Sequence, residues 1–279
     1  MIRLALMALA LAGAPLAVWA ASPPCPAAAD LDTDGVSLPH LAALLKPGTT
    51  LNMLAIGSGA APVPGSPPPG AAKTAPATAK TAAKPASATP APGPAAPAGL
   101  PWQVAHALEA AVHGMHVGVT EVGHRGMTAE DMLGPMRDAL AKKQYRLVLW
   151  LTGTVDAVNS VPPDDFYEAL ADGAAAATNA GADLVLVDPQ YSRFLEANAN
   201  LEPYVNALRA VGALPGVALF HRFDIMKDWA DAGAIDLERT AKADRPAAAA
   251  RLHACLGREL AQMLVGQKGQ GTALDPLGP

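Results

Sequence analysis

The chain has 279 residues, about half of them hydrophobic, with 4% aromatics and a formal net charge of −5. That length holds one domain of ordinary size plus appendages. The mild acidity, with no cluster of Lys or Arg, argues against a nucleic-acid partner.

The first segment, Arg3 followed by the apolar Leu4–Trp19 and small residues at Ala20 and Ala21, has the shape of a secretory signal. The run is short for a membrane anchor and is interrupted by Gly13 and Pro15, and nothing later is long and apolar enough to span. Residues 1–20 are therefore expected to be a signal peptide, with export to the periplasm or cell exterior and no transmembrane segment after cleavage. A lipoprotein anchor at Cys25 is disfavoured, because Ser22-Pro23-Pro24 lacks the usual residues before it. The two cysteines, Cys25 and Cys255, lie at opposite ends of the mature chain. In an oxidising compartment they favour a disulfide over two buried thiols.

Residues 21–49 read as an N-terminal segment. Leu51–Gly59, L-N-M-L-A-I-G-S-G, is a short apolar run closed by Gly-Ser-Gly, which predicts a buried strand and a tight turn. At the carboxyl end of a strand in an open α/β sheet, such a turn is where ligands bind. Ala60–Gly99 is almost wholly Ala, Pro, Gly, Thr, Ser and Lys. Its composition predicts a disordered insertion, since it offers too little apolar area to offset ordering entropy.

Alternation then resumes. Helices are predicted at Trp102–Val112, Ala129–Lys142, Asp164–Ala180, Leu201–Val211 and Ala247–Val265. Strands are predicted at His116–Glu121, Arg146–Leu151, Asp183–Val187 and Val217–Phe220. With the first strand this makes an α/β fold with a parallel sheet covered on both faces. The unit runs from 50 to 265, and residues 266–279 read as a flexible tail.

Four blocks carry a resemblance. They are Gly57-Ser58-Gly59; Val122-Gly123-His124-Arg125-Gly126; Gly153-Thr154-Val155-Asp156; and Ala243-Asp244-Arg245-Pro246-Ala247. In order and spacing the chain resembles the SGNH/GDSL hydrolases, in particular an exported bacterial branch. The resemblance implies a three-layer flavodoxin-like sandwich with a five-stranded parallel sheet. It also implies a serine nucleophile in block I, a glycine N–H in block II, a Gly-x-Asn-Asp donor in block III and an Asp-x-x-His base near the last helix. At the implied positions stand Gly59 for the nucleophile, Val155 for the asparagine donor and Ala247 for the base, with Gly126 and Asp244 retained. Gly59, Gly126 and Gly153 are the backbone candidates for an oxyanion or ligand.

Acyl transfer needs a nucleophile, an oriented base and oxyanion donors acting together, so three replacements leave no serine mechanism at those positions. A competing alignment takes Ser58 as nucleophile and His253 as base, with Ala250 where an orienting aspartate would be wanted; Ser58, Asp244 and His253 are thus the catalytic candidates. Other clusters are weaker. His106, His113, His116 and His124 have no Cys or carboxylate at ligand spacing, so no metal or other cofactor is expected. Asp224, Asp228 and Asp231 mark one solvated helix face, and Gly153-Thr154 is no phosphate loop. The expected function is a catalytically degenerate hydrolase-like protein binding a carbohydrate or acyl-ester ligand. The alternatives are an active ester hydrolase using Ser58, and an accessory protein reaching a partner through its Ala/Pro-rich insertion.

Overall fold

The computed structural model describes residues 24–27, 37–57 and 99–266. Among these, five strands form one parallel sheet: β1 (Thr50–Gly57), β2 (His116–Val122), β3 (Leu147–Leu151), β4 (Asp183–Val187) and β5 (Val217–Phe220), in the order β2-β1-β3-β4-β5. The predicted α/β sandwich is the observed one. Strand β1 is nearly continuous in burial because helices cover both sheet faces.

Side-chain alternation divides the core in two. Leu51, Met53, Leu149 and Val185 face one layer, made of α1 (Pro39–Ala42), α2 (Leu100–Ala111), α8 (Arg222–Asp231) and α9 (Arg245–Gly266). Leu54, Ile56, Trp150 and Leu186 face the other, chiefly α3 (Ala129–Lys142), α5 (Pro163–Asn179) and α7 (Glu202–Gly212). Each fully buried Leu, Ile or Phe contributes about 1.5–3 kcal/mol of transfer free energy.

Two short helices, α4 (Thr154–Val158) and α6 (Arg193–Asn198), follow β3 and β4. Neither was expected, nor was α1, because four to six residues are too few to show a helical period. The segment read as an N-terminal appendage joins the core through Leu38, Leu41 and Leu45. The Leu41 N–H also donates to Asp183 Oδ2 at 2.8 Å.

Cys25 and Cys255 are joined by a disulfide with their Cα atoms 5.4 Å apart. Around it, Arg251 Nη2 donates to Pro24 O at 3.1 Å and Trp229 Nε1 to Ala27 O at 3.0 Å. Residues 24–27 are thus strapped to α8 and α9. Where α9 crosses α2, a Cβ on Gly257 would stand 2.6 Å from Gln103 Cβ, so only glycine allows this approach. Residues 1–20, read as a signal peptide, the insertion read at 60–99 except Gly99, the tail read at 266–279 except Gly266, Ser58 and Gly59 lie outside the described residues.

Candidate functional site

In this strand order the chain reverses direction of progress between β1 and β3, and the crevice outside their carboxyl ends is where an open sheet binds ligands. Gly57 ends β1 with φ +132°, and a Cβ there would lie 2.2 Å from Leu151 O. The turn after β1 therefore needs glycine twice over, for its backbone angle and for its contact with β3.

The neighbouring loops are tied across this end of β1. Asp156, in α4 after β3, is almost fully buried. Its Oδ1 accepts from the Ala129 N–H at 2.8 Å, at the start of α3 after β2, and its Oδ2 accepts from the Gly153 N–H at 3.2 Å. Burial pushes its carboxyl pKa upward against these two hydrogen bonds. Asp156 is thus the acidic residue of block III put to structural use. The same bond engages the N–H of Gly153, a residue that the sequence offers as an oxyanion or ligand-binding candidate.

Gly126 lies exposed in the loop after β2 with φ +89°. His124, in the same loop, places Nδ1 3.0 Å from Arg125 O. Val155 is the second residue of α4, with no polar atom to aim at a developing charge. Thr152, just after β3, is buried with its hydroxyl oxygen unpartnered among the described residues.

The structure does not bring Asp244 and His253 together. Asp244 is exposed just before α9, its carbonyl accepting from the Ala248 N–H at 3.0 Å. His253 is half-buried further along that helix. Nine residues of α-helix separate them by about 13 Å and about half a turn of azimuth. At that separation the Asp244 carboxylate is out of reach of His253. Ala247 is exposed in the first turn of α9, ten residues or about 15 Å before the Gly257 crossing.

Sequence reasoning assigns no role to the groups at the ends of β4 and β5, although both segments resemble connecting stretches of the exported branch. Asp188 is buried, and burial raises its carboxyl to a pKa of about 7. Its Oδ1 accepts from the Phe223 N–H at 2.8 Å, anchoring the first turn of α8. Arg222 Nε donates to Asp188 O at 2.9 Å, and burial lowers the guanidinium pKa to about 10. An aspartate directly after the apolar run Leu184–Val187 was the available signal.

His221 stands at the N-cap position of α8 without a side-chain capping hydrogen bond, its Nδ1 3.9 Å from Asp224 Oδ2, and burial holds its pKa below the usual histidine value. It ends β5, three strand spacings or about 14 Å from β1. That is beyond hydrogen-bond reach of a group at the end of β1. Among the described residues no group of three His, Cys, Asp or Glu side chains is placed to hold a metal.

Residues 81–269, more than half of the chain, match the Non-GDSL lipase-like family. The match begins downstream of β1. No curated protein sequence matches. Among solved structures the chain is similar to two variants of Axe2 from Geobacillus stearothermophilus. One, described as an acetyl-xylooligosaccharide esterase, has TM-score 0.52 at 13% identity, covering 79% of this chain and 96% of that one. The other, described as an acetylxylan esterase, has TM-score 0.50 at 15% identity, covering 80% and 96%. TesA gives 0.49 at 19% identity, covering 76% and 99%. The Axe2 likenesses share the three-layer fold found here.

Proposed function

The chain belongs to the Non-GDSL lipase-like family, and from that premise we propose that it is a binding protein built on an ester-hydrolase scaffold, without serine-hydrolase turnover. One observation carries the reading. Asp244, exposed just before α9, and His253, nine residues further along, are about 13 Å apart at helical rise, so these two candidates form no acid–base pair. Val155 at the asparagine position and the engaged Gly153 N–H support it, because a hydrolase needs its base and its oxyanion donors together.

The ligand proposed is an acylated carbohydrate or another acyl ester, held at the crevice between β1 and β3. That is the class named for Axe2. Export through Met1–Ala20 and a periplasmic or extracellular location belong to the same proposal. The Cys25–Cys255 bond supports it, because disulfides persist in oxidising compartments. Among the described residues no helix is long and apolar enough to cross a membrane. The unit proposed to bind ligand spans residues 50–265, with 60–99 as an insertion in it. Exposure of the protein to a fluorophosphonate probe is the test, since it reports an activated serine whatever the natural ligand.

A further inference from the structure

At the end of the sheet away from the crevice, one carboxyl group holds the N-terminal segment in place. Asp183 opens β4 and is fully buried. Its Oδ2 accepts from the Leu41 N–H at 2.8 Å, 142 residues away, while its Oδ1 is buried with no partner among the described residues. Helix α1 has no cap of its own, since Leu38 at its N-cap position makes no side-chain hydrogen bond. Asp183 therefore does from across the fold what a Ser or Asp at the N-cap does locally. The same docking buries Leu38, Leu41 and Leu45.

The two oxygens are unequal, and that makes the contact sensitive to protonation. With the carboxyl ionised, charge rests on an interior oxygen that no donor meets, which is costly. Protonation removes the charge and leaves Oδ2 able to accept from Leu41. Burial pushes the Asp183 pKa upward, opposed by the Leu41 N–H, the His40 ring and the His40 N–H. Of the other neighbours, Arg146, just before β3, directs Nη1 to Gly181 O at 2.9 Å. On the β5 side stands Gly216, where a Cβ would lie 3.6 Å from Oδ1.

We propose that Asp183 is the proton-controlled catch of an N-terminal strap, closed in acid and released as pH rises. The sign follows from linkage. The docked form holds the proton more tightly than a carboxyl left in water by the departure of α1. Docking is therefore favoured most below the ordinary value of 3.8 and weakens as pH climbs through the raised one. The other end of the strap stays fixed by the Cys25–Cys255 bond. Opening thus frees α1 without detaching the segment, and pH sets whether the apolar surface under Leu38, Leu41 and Leu45 is covered.

The test is amide hydrogen exchange of the full, disulfide-bonded chain from pH 4 to pH 7, corrected for the intrinsic rate and read at Leu41 and at Leu149 in mid-β3. Leu41 should open at least about tenfold more often than Leu149, as a local event does. Its opening constant should rise with pH by up to about tenfold per unit, the limit for one proton. In Asp183→Asn that rise should vanish, and in His40→Gln it should persist. Should Asp183→Asn not fold, carbon NMR of the wild-type carboxyl gives the same answer, since Asp183 should titrate above 3.8. The proposal is overturned if Leu41 opening changes less than about twofold across the range, or if Leu41 and Leu149 open equally. It is overturned equally if Asp183→Asn keeps the rise, if His40→Gln abolishes it, or if Asp183 titrates at 3.8 or below.

Discussion

The carboxylate of Asp156 accepts a 2.8 Å hydrogen bond from the Ala129 N–H, joining the segments after β3 and β2 past the end of the strand between them. With the 3.2 Å bond from Gly153, one buried side chain satisfies two backbone donors. Replacing it by Ala should cost about 1–3 kcal/mol for each orphaned donor. Urea denaturation of Asp156→Ala reads this directly, and a loss below 0.5 kcal/mol, the level of ordinary surface substitutions, would show that Asp156 is not the tie.

Gly57→Ala tests the turn that leaves β1. The added Cβ meets Leu151 O at 2.2 Å and the backbone is held at φ +132°. Strain and overpacking each cost about 1–3 kcal/mol, so the variant should melt far below wild type or fail to accumulate. An unchanged melting temperature would mean that the strand end adopts another geometry.

The fold was legible in the sequence, and the site was not. The apolar runs Leu147–Leu151 and Asp183–Val187, alternating with helix-length segments, predict the parallel sheet. Helix α3 begins at Ala129, where the sequence placed it, because Thr128 and Asp131 form a capping box there. Asp156 and Asp188 were not recognised as ties, because their partners are backbone N–H groups 27 and 35 residues away. No local pattern encodes such a contact. Asp244 and His253 illustrate a different point: motif spacing places residues along a chain, and the start of α9 at Arg245 turns their nine-residue interval into about 13 Å of helix.

The disulfide closes a loop across 230 residues. The chain-entropy view gives a stabilisation of about 5.5 kcal/mol for a loop of such length. The melting temperature of the protein should drop sharply with a thiol reductant, and Cys255→Ser should match reduced wild type. Indifference to reductant would remove the bond from the stability of the domain.

Asp188 should leave a mark on stability against pH. Its folded pKa, raised by burial to about 7, lies above the unfolded carboxylate value of 3.8. Between those values the native state holds the proton more tightly, so this residue's contribution is fully present below pH 3.8 and is lost as pH rises toward 7. Histidine 221 acts in the opposite direction, its pKa being lowered by burial. Comparison with Asp188→Asn isolates the effect. Whatever the offset at neutral pH, the wild-type minus variant difference in melting temperature should fall from pH 4 to pH 7. A difference independent of pH would place the Asp188 carboxyl at its ordinary pKa.

The account rests most heavily on the absence of an activated serine, and labelling with a fluorophosphonate followed by mass analysis of the labelled peptide measures it. The folded protein should label no more than a heat-denatured control and should hydrolyse activated acetyl esters at the background rate. His253→Ala should change neither result. Stoichiometric labelling that disappears in Ser58→Ala would contradict the account and install Ser58 as the nucleophile of a working hydrolase, with His253→Ala then testing its base.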